Sequence, residues 1–209
     1  MNPGDCDLLM LKIEGLARVS AMDPDREVVR YDISVYYEDE AERVTTVGTF
    51  EVWRFQVDAY CDAPAGRLLD LFECHSSEAL SLYEWLFDPD AEDYREGLGE
   101  GPAMGRDLLY FHEASCKKDF AASPHMLAAV QRIIQLLGSG CALAVIWPWD
   151  VRYPDMEKLT SEQLDAYWAQ HKQAEALWRP LGFKRLAKTP ILIRDMALKS
   201  PTIPEILGE

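Results

Sequence analysis

Cationic residues are scarce in this sequence. Lys and Arg together number 21 against 36 Asp and Glu, which gives a formal net charge of −15 at pH 7. Binding to phosphate backbones or anionic lipid requires clustered Lys and Arg, so this balance argues against a nucleic-acid or membrane partner. Such acidity commonly serves solubility. It also fits attraction of a basic partner, or mimicry of a nucleic acid.

Paired cysteines and long apolar runs are also missing. The five cysteines are an odd number, widely spaced and without a C-x-x-C pair, at Cys6, Cys61, Cys74, Cys116 and Cys141. This spacing predicts reduced thiols and no zinc site. No stretch approaches the roughly 18 apolar residues of a membrane span, and the N-terminus lacks a basic region before an apolar one. We therefore expect a cytoplasmic protein without a metal.

The first 60 residues are rich in predicted strands. Residues 8–22 fit a strand, with a short helix as the alternative, and apolar residues alternate with polar ones over 29–37. A second alternating run places Trp53, Phe55, Val57 and Ala59 on one face. Alternation with a period of two is typical of half-buried strands, so we predict an antiparallel hairpin or meander.

Residues 61–106 combine helices with an acidic loop. Apolar residues over 68–87 recur with a period near 3.6, which predicts one or two helices with a break near His75. Ser76 or Ser77 could cap the second helix. Residues 90–106 carry five acids and four glycines without apolar periodicity, and they are predicted to be a loop.

Residues 107–147 read as a βαβ unit. A strand begins at Asp107, a helix runs to Leu137 with Ser123 as N-cap and Pro124 at N1, and a buried strand follows a glycine turn. Beyond it, Thr160 and Gln163 predict a capping box for a helix over 161–179. Two short strands at 183–186 and 191–193 and a polar tail at 200–209 complete the chain, which we interpret as a single domain over 1–209.

The second half, from about 107 to 208, resembles the GNAT N-acetyltransferase superfamily in three pieces. The strand LLYFHEASCKKDF (108–120) is similar to the central strand and its approach to the cofactor loop. GSGCALAVIWPWD (138–150) resembles the glycine turn and fifth strand, and AEALWRPLGFKRL (174–186) resembles the helix-to-strand signature. The resemblance implies an α/β fold of GNAT type: a mixed, largely antiparallel sheet, splayed between its central strands, with helices on both faces.

The resemblance also implies a site for acetyl-CoA, held by the family motif R/Q-x-x-G-x-G/A where the helix after the central strand begins. One alignment register puts Ala121, Pro124 and Met126 at the three motif positions, and all three depart from it. A register shifted by three residues keeps Lys118 with small residues and leaves a degraded phosphate cradle. The candidate cofactor-binding residues are Ser115, Cys116, Lys118, Ala121, Ala122 and Ser123.

Catalysis in the family requires a base for the amine and an acid for the leaving thiolate. Glu113 is the acid on the central strand and the candidate base, with a structural role as the alternative. Trp178 stands at the usual tyrosine position, so Tyr110 is the candidate proton donor, with Tyr167 as the alternative. Two functions follow from the resemblance: a pseudoenzyme that acts through protein contacts, or a divergent N-acyltransferase that uses acetyl-CoA. The partner would be a protein or an amine, and a basic one fits the charge.

The stretch His112-Glu113-x-x-Cys116 shares part of a zinc-hydrolase spacing. That motif requires ligands four residues apart on a helix. On the predicted strand, His112 and Cys116 would share a face while Glu113 points away. We therefore predict no metal here.

Overall fold

The computed structural model describes residues 8–16, 28–38, 42–61, 67–99, 105–121, 123–148 and 160–208. In chain order the strands are β1 (Leu8–Leu16), β2 (Val28–Glu38), β3 (Val44–Phe55), β4 (Phe87–Asp88), β5 (Asp93–Tyr94), β6 (Asp107–Cys116), β7 (Cys141–Ile146), β8 (Lys184–Arg185) and β9 (Leu192–Asp195). The helices are α1 (Val57–Cys61), α2 (Leu68–Glu73), α3 (Ser77–Leu86), α4 (Lys118–Ala121), α5 (Pro124–Leu137), α6 (Ser161–Trp178) and α7 (Ile203–Leu207).

Seven strands form one open sheet in the order β1-β2-β3-β6-β7-β9-β8, and β4 pairs with β5 in a separate hairpin. The pairings within the sheet are antiparallel, except that β6 and β7 are parallel. The helix α5 connects these two strands, as parallel neighbours require. The predicted α/β class with a mixed, largely antiparallel sheet is confirmed.

The sheet separates two apolar cores. On one face, α5 packs against the strands through residues such as Met126, Val130 and Ile133. On the other face, α2 and α3 contribute Phe72 and Leu82. Alternation along each strand serves both cores, because neighbouring side chains point to opposite faces.

The second predicted strand is shorter than expected. The alternation over Trp53–Ala59 predicts a strand throughout, but β3 ends at Phe55 and α1 begins at Val57. The Tyr60 amide donates to the Gln56 carbonyl over 3.1 Å. In the helical turn, Val57 and Tyr60 both enter the core beside α2, whereas Ala59 is exposed. Tertiary burial therefore overrides the local period.

The predicted helix starts are confirmed. Ser76 accepts a hydrogen bond from the Ala79 amide over 3.0 Å, which begins α3 after the break at His75. Ser123 caps α5 with Pro124 in the first turn. Thr160 and Gln163 form the predicted capping box of α6.

The predicted polar tail contains a helix. Thr202 and Glu205 form a second capping box, and α7 packs against α5. The T-x-x-E signature at 202–205 was the signal for it. The predicted short strands are confirmed as β8 and β9, while the polar connection over 149–159 lies outside the described residues.

An ion pair anchors the start of β6. The Arg54 Nη2 atom lies 2.7 Å from Asp107 Oδ2, with side-chain exposures of 23% and 11%. Arg54 Nη1 also donates to the Leu137 carbonyl at the end of α5 over 3.4 Å. Burial lowers the pKa of Arg54, but the hydrogen bond to Asp107 and the charges nearby outweigh it, so its pKa is raised.

Thiol reactivity tests the burial of β7. Cys141 is fully buried, and burial raises the pKa of its thiol to about 12, whereas Cys74 is exposed. At pH 8 about one Cys141 thiol in ten thousand is ionised, and the thiolate is the reactive form. We expect a disulfide reagent to label Cys74 in the native protein and Cys141 after unfolding, as followed by mass spectrometry. Labelling of both at one rate would contradict this packing.

Candidate functional site

The candidate site lies on the second half of β6, where the strand carries one extra residue. Glu51 pairs with Glu113 and Val52 with Phe111, so His112 has no partner of its own on β3. A bulge of this kind turns two successive side chains towards one face. His112 contacts Trp53, with ring centroids 4.1 Å apart, and Glu113 lies beside Glu51.

The bulge corrects the predicted orientation of this stretch. His112 and Cys116 were expected to share a face with Glu113 on the other. Instead His112 and Glu113 share the face of the core formed with α2 and α3, whereas Cys116 packs on the α5 side. The extra residue shifts the alternation by one position.

The two candidate catalytic residues lie near each other. Tyr110 is fully buried on the face to which Glu113 also belongs. Burial raises the pKa of Tyr110, and the charges of Glu78, Glu113 and Glu51 raise it further. Tyr110 therefore stays protonated at neutral pH, and its hydroxyl is a neutral hydrogen-bonding group that is a weaker acid than that of an exposed tyrosine.

Trp53 is the centre of an aromatic and charged cluster beside these residues. Its Nε1 donates to Glu51 Oε1 over 2.6 Å, and the Arg30 guanidinium lies 4.6 Å from the ring centroid. Arg30 Nη2 donates to His75 Nδ1 over 3.0 Å. His112 Nδ1 lies 3.4 Å from Glu78 Oε2.

A shallow depression opens on the same face, next to this cluster. Its volume is about 290 Å³, and it is lined by residues of β2, β3 and β6. The polar side chains among them are Asp32, Ser34, Thr49, Glu51, Glu113 and Ser115. The sequence pointed to Glu113 and Ser115 but not to Asp32, Ser34, Thr49 and Glu51. The available signal for these four residues was that they occupy the polar positions of alternating strands.

The predicted cofactor residues do not form one surface. Ser115 lies in the depression, whereas Cys116 faces α5 with its Sγ 3.9 Å from Met126 Sδ. Lys118 is exposed on α4 and Ala121 is half-buried. The side chain of Ser123 is buried, and Ala122 lies outside the described residues.

In the turn between β6 and α5, backbone amides donate hydrogen bonds to nearby carbonyls of the same chain. The amides of Phe120 and Ala121 donate to the Lys117 carbonyl over 2.9 Å. The amide of Ser123 donates to Phe120, and the amides of Met126 and Leu127 point back to Ser123. The Ser123 hydroxyl is engaged as well, since it accepts from Met126 and donates to the Phe120 carbonyl over 2.7 Å.

The central strands part where the depression lies. The pairing of β6 with β7 ends at Phe111 and Ile146, but β6 continues to Cys116. In the part of the chain that the structure describes, the β7-facing edge of residues 112–116 has no strand partner. In general, a sheet edge that nothing covers can pair with an extended ligand.

No protein-family model, curated protein or solved structure matches this chain. Among the described residues, no three His, Cys, Asp or Glu side chains are grouped so that they could hold a metal ion. None of the described helices combines the length and the apolar character needed to cross a membrane.

Proposed function

We propose that this chain is a GNAT-like protein that acts by binding another protein. The turn before α5, where the family binds acyl-CoA, has its amides hydrogen-bonded to carbonyls of the chain itself. The central parallel pair β6 and β7, joined by α5 and parting beyond Phe111, supports the GNAT resemblance. So does Gly182, which has φ of 85° at the end of the helical segment in the Leu181-Gly182-Phe183 signature.

The observation that carries the proposal is the closed turn before α5. A pyrophosphate site at a helix start requires free amides and close backbone approach. Here five amides between Phe120 and Leu127 already donate to the carbonyls of Lys117, Phe120 and Ser123. Pro124 has no amide hydrogen, and Met126 is 1% exposed in the core.

A cytoplasmic location is part of the proposal. The odd number and the wide spacing of the five cysteines support a reducing compartment.

The second candidate function is a divergent N-acyltransferase. The observation that favours it is that β6 continues beyond Phe111, where its pairing with β7 ends, so that this edge could align an acyl-CoA beside Glu113. In that case Glu113 would take a proton from the amine, and Tyr110 would return one to the thiolate. Lys118, exposed beside the turn, would be the cation for the phosphates.

Calorimetric titration with acetyl-CoA and with CoA separates the two functions. If the chain is a pseudoenzyme that binds another protein, we expect no saturable heat at millimolar coenzyme. The turn before α5 then offers too few free hydrogen-bond donors for a pyrophosphate. The same titration on Lys118→Ala is the matched control. Micromolar binding that weakens in Lys118→Ala would overturn the loss of acyl-CoA binding and favour the acyltransferase, which a screen of amine acceptors would then test.

A further inference from the structure

Four carboxylates stand in one row across the sheet. The strand register pairs Glu14 with Asp32, Asp32 with Glu51, and Glu51 with Glu113. These residues come from β1, β2, β3 and β6, and directly paired residues of antiparallel strands point to the same face. The next row on that face is Lys12, Ser34, Thr49 and Ser115.

This register is unfavourable for the protein on its own. Like charges directly opposite each other on neighbouring strands destabilise a sheet, and this row contains three such pairs in succession. Lys12 lies 3.0 Å from Glu14, and the Trp53 indole donates to Glu51. Within the described chain neither Asp32 nor Glu113 has an ion-pair partner.

The neighbouring cations are already engaged. Lys12 is paired with Glu14, and the hydrogen bond that it donates to that carboxylate raises the pKa of Lys12. Arg30 lies over the Trp53 ring and donates to His75. The carboxylates of Asp32 and Glu113 are therefore available to pair with a cationic group from outside the described chain.

The shape of the surface indicates an extended partner. The depression of about 290 Å³ is open to solvent and lined by three carboxylates and three hydroxyls. Its carboxylates are spread along the row and are not grouped around a metal position. With strands about 4.8 Å apart, four strands span about 14 Å, which about five residues of an extended chain can cover.

We propose that this row is the docking surface for a Lys- and Arg-rich segment of another protein. The occupant is chosen by charge complementarity: ammonium or guanidinium groups lie between Asp32, Glu51 and Glu113, and the hydroxyls beside them accept the remaining donors. The proposal rests on the proposed function, since it names the partner class for a protein that acts through protein contacts.

A labelled oligolysine of about eight residues is the probe, long enough to exceed the row. Its binding to the full chain is measured by fluorescence anisotropy with the double variant Asp32→Asn, Glu113→Gln. The matched control, Glu162→Gln with Asp165→Asn, removes the same charge from exposed positions of α6. We expect the row variant to lose about tenfold or more in affinity and the control to lose less than about twofold.

Thermal unfolding of the two variants provides the second readout. Because the row repels itself, the row variant should melt about 2 °C higher than the native protein, whereas the control should be nearly unchanged. Loss of binding together with a higher Tm cannot result from misfolding. A lower Tm would contradict the like-charge argument and overturn the proposal.

Two further outcomes would overturn the docking proposal. If the row variant and the control variant lose the same affinity for oligolysine, the net charge of the protein alone attracts the peptide. Saturable binding of free spermine that matches oligolysine and depends on the same two carboxylates would mean a small polyamine site. Neither result depends on acetyl-CoA, so the coenzyme titration decides the proposed function separately.

Discussion

Replacing Asp107 with alanine is expected to lower the free energy of unfolding by about 3 kcal/mol, the low end for a broken buried ion pair. The variant leaves the Arg54 guanidinium without the carboxylate that lies 2.7 Å away. Arg54 is 23% exposed, so water relieves part of the cost. Urea unfolding followed by tryptophan fluorescence, with linear extrapolation, measures the change.

Two comparison variants separate the ion pair from the loss of a charge. Asp165→Ala removes an exposed carboxylate on α6 and should change stability by less than about 0.5 kcal/mol. The double variant Arg54→Met, Asp107→Leu removes both charges and should recover most of the loss, because an apolar pair of similar volume needs no compensation. An Asp107→Ala protein within about 0.5 kcal/mol of the native one would mean that water already solvates the pair.

Features with local causes could be predicted from the sequence. The alternation in β2 and the period of α5 follow from the face that each element buries. The N-caps at Ser76 and Ser123 are local as well, because the side chain bonds an amide three residues ahead. The predicted α/β class depends on the same patterns.

Features that depend on tertiary contact could not be predicted. The extra residue at His112 is visible only against β3, and it puts His112 on the face of Glu113 and opposite to Cys116. Likewise, α1 forms where alternation continues, because Val57 enters a core built from distant helices. One misplaced residue in a strand moves every later side chain to the other face.

The candidate site divides in the same way. Pro124 and Met126 could be identified as departures from a phosphate-binding motif, because the motif is contiguous. The acidic row could not be identified, since Glu14, Asp32 and Glu51 lie on separate strands and become neighbours only through register. The closed turn can therefore be predicted from contiguous residues, whereas the acidic row exists only in the three-dimensional structure.

The Gly105→Ala change is expected to destabilise the protein by about 3 kcal/mol, through backbone strain and a steric clash together. Gly105 has φ of +93°, and an added Cβ would lie 2.4 Å from the Gly140 carbonyl oxygen. That oxygen belongs to the turn that leads into β7, the parallel neighbour of β6. The backbone must therefore move, because neither segment can yield through a side-chain rotation.

Gly97→Ala is the matched control for that prediction. Gly97 also has positive φ, +82°, but an added Cβ there meets no atom within 4 Å. Its cost should be the left-handed strain alone, about 1 kcal/mol. The difference between the two variants in urea unfolding then measures the contact between Gly105 and Gly140. Equal costs would mean that the β6 start and the turn before β7 are not in contact, and the parallel pairing at Asp107 and Cys141 would lose its support.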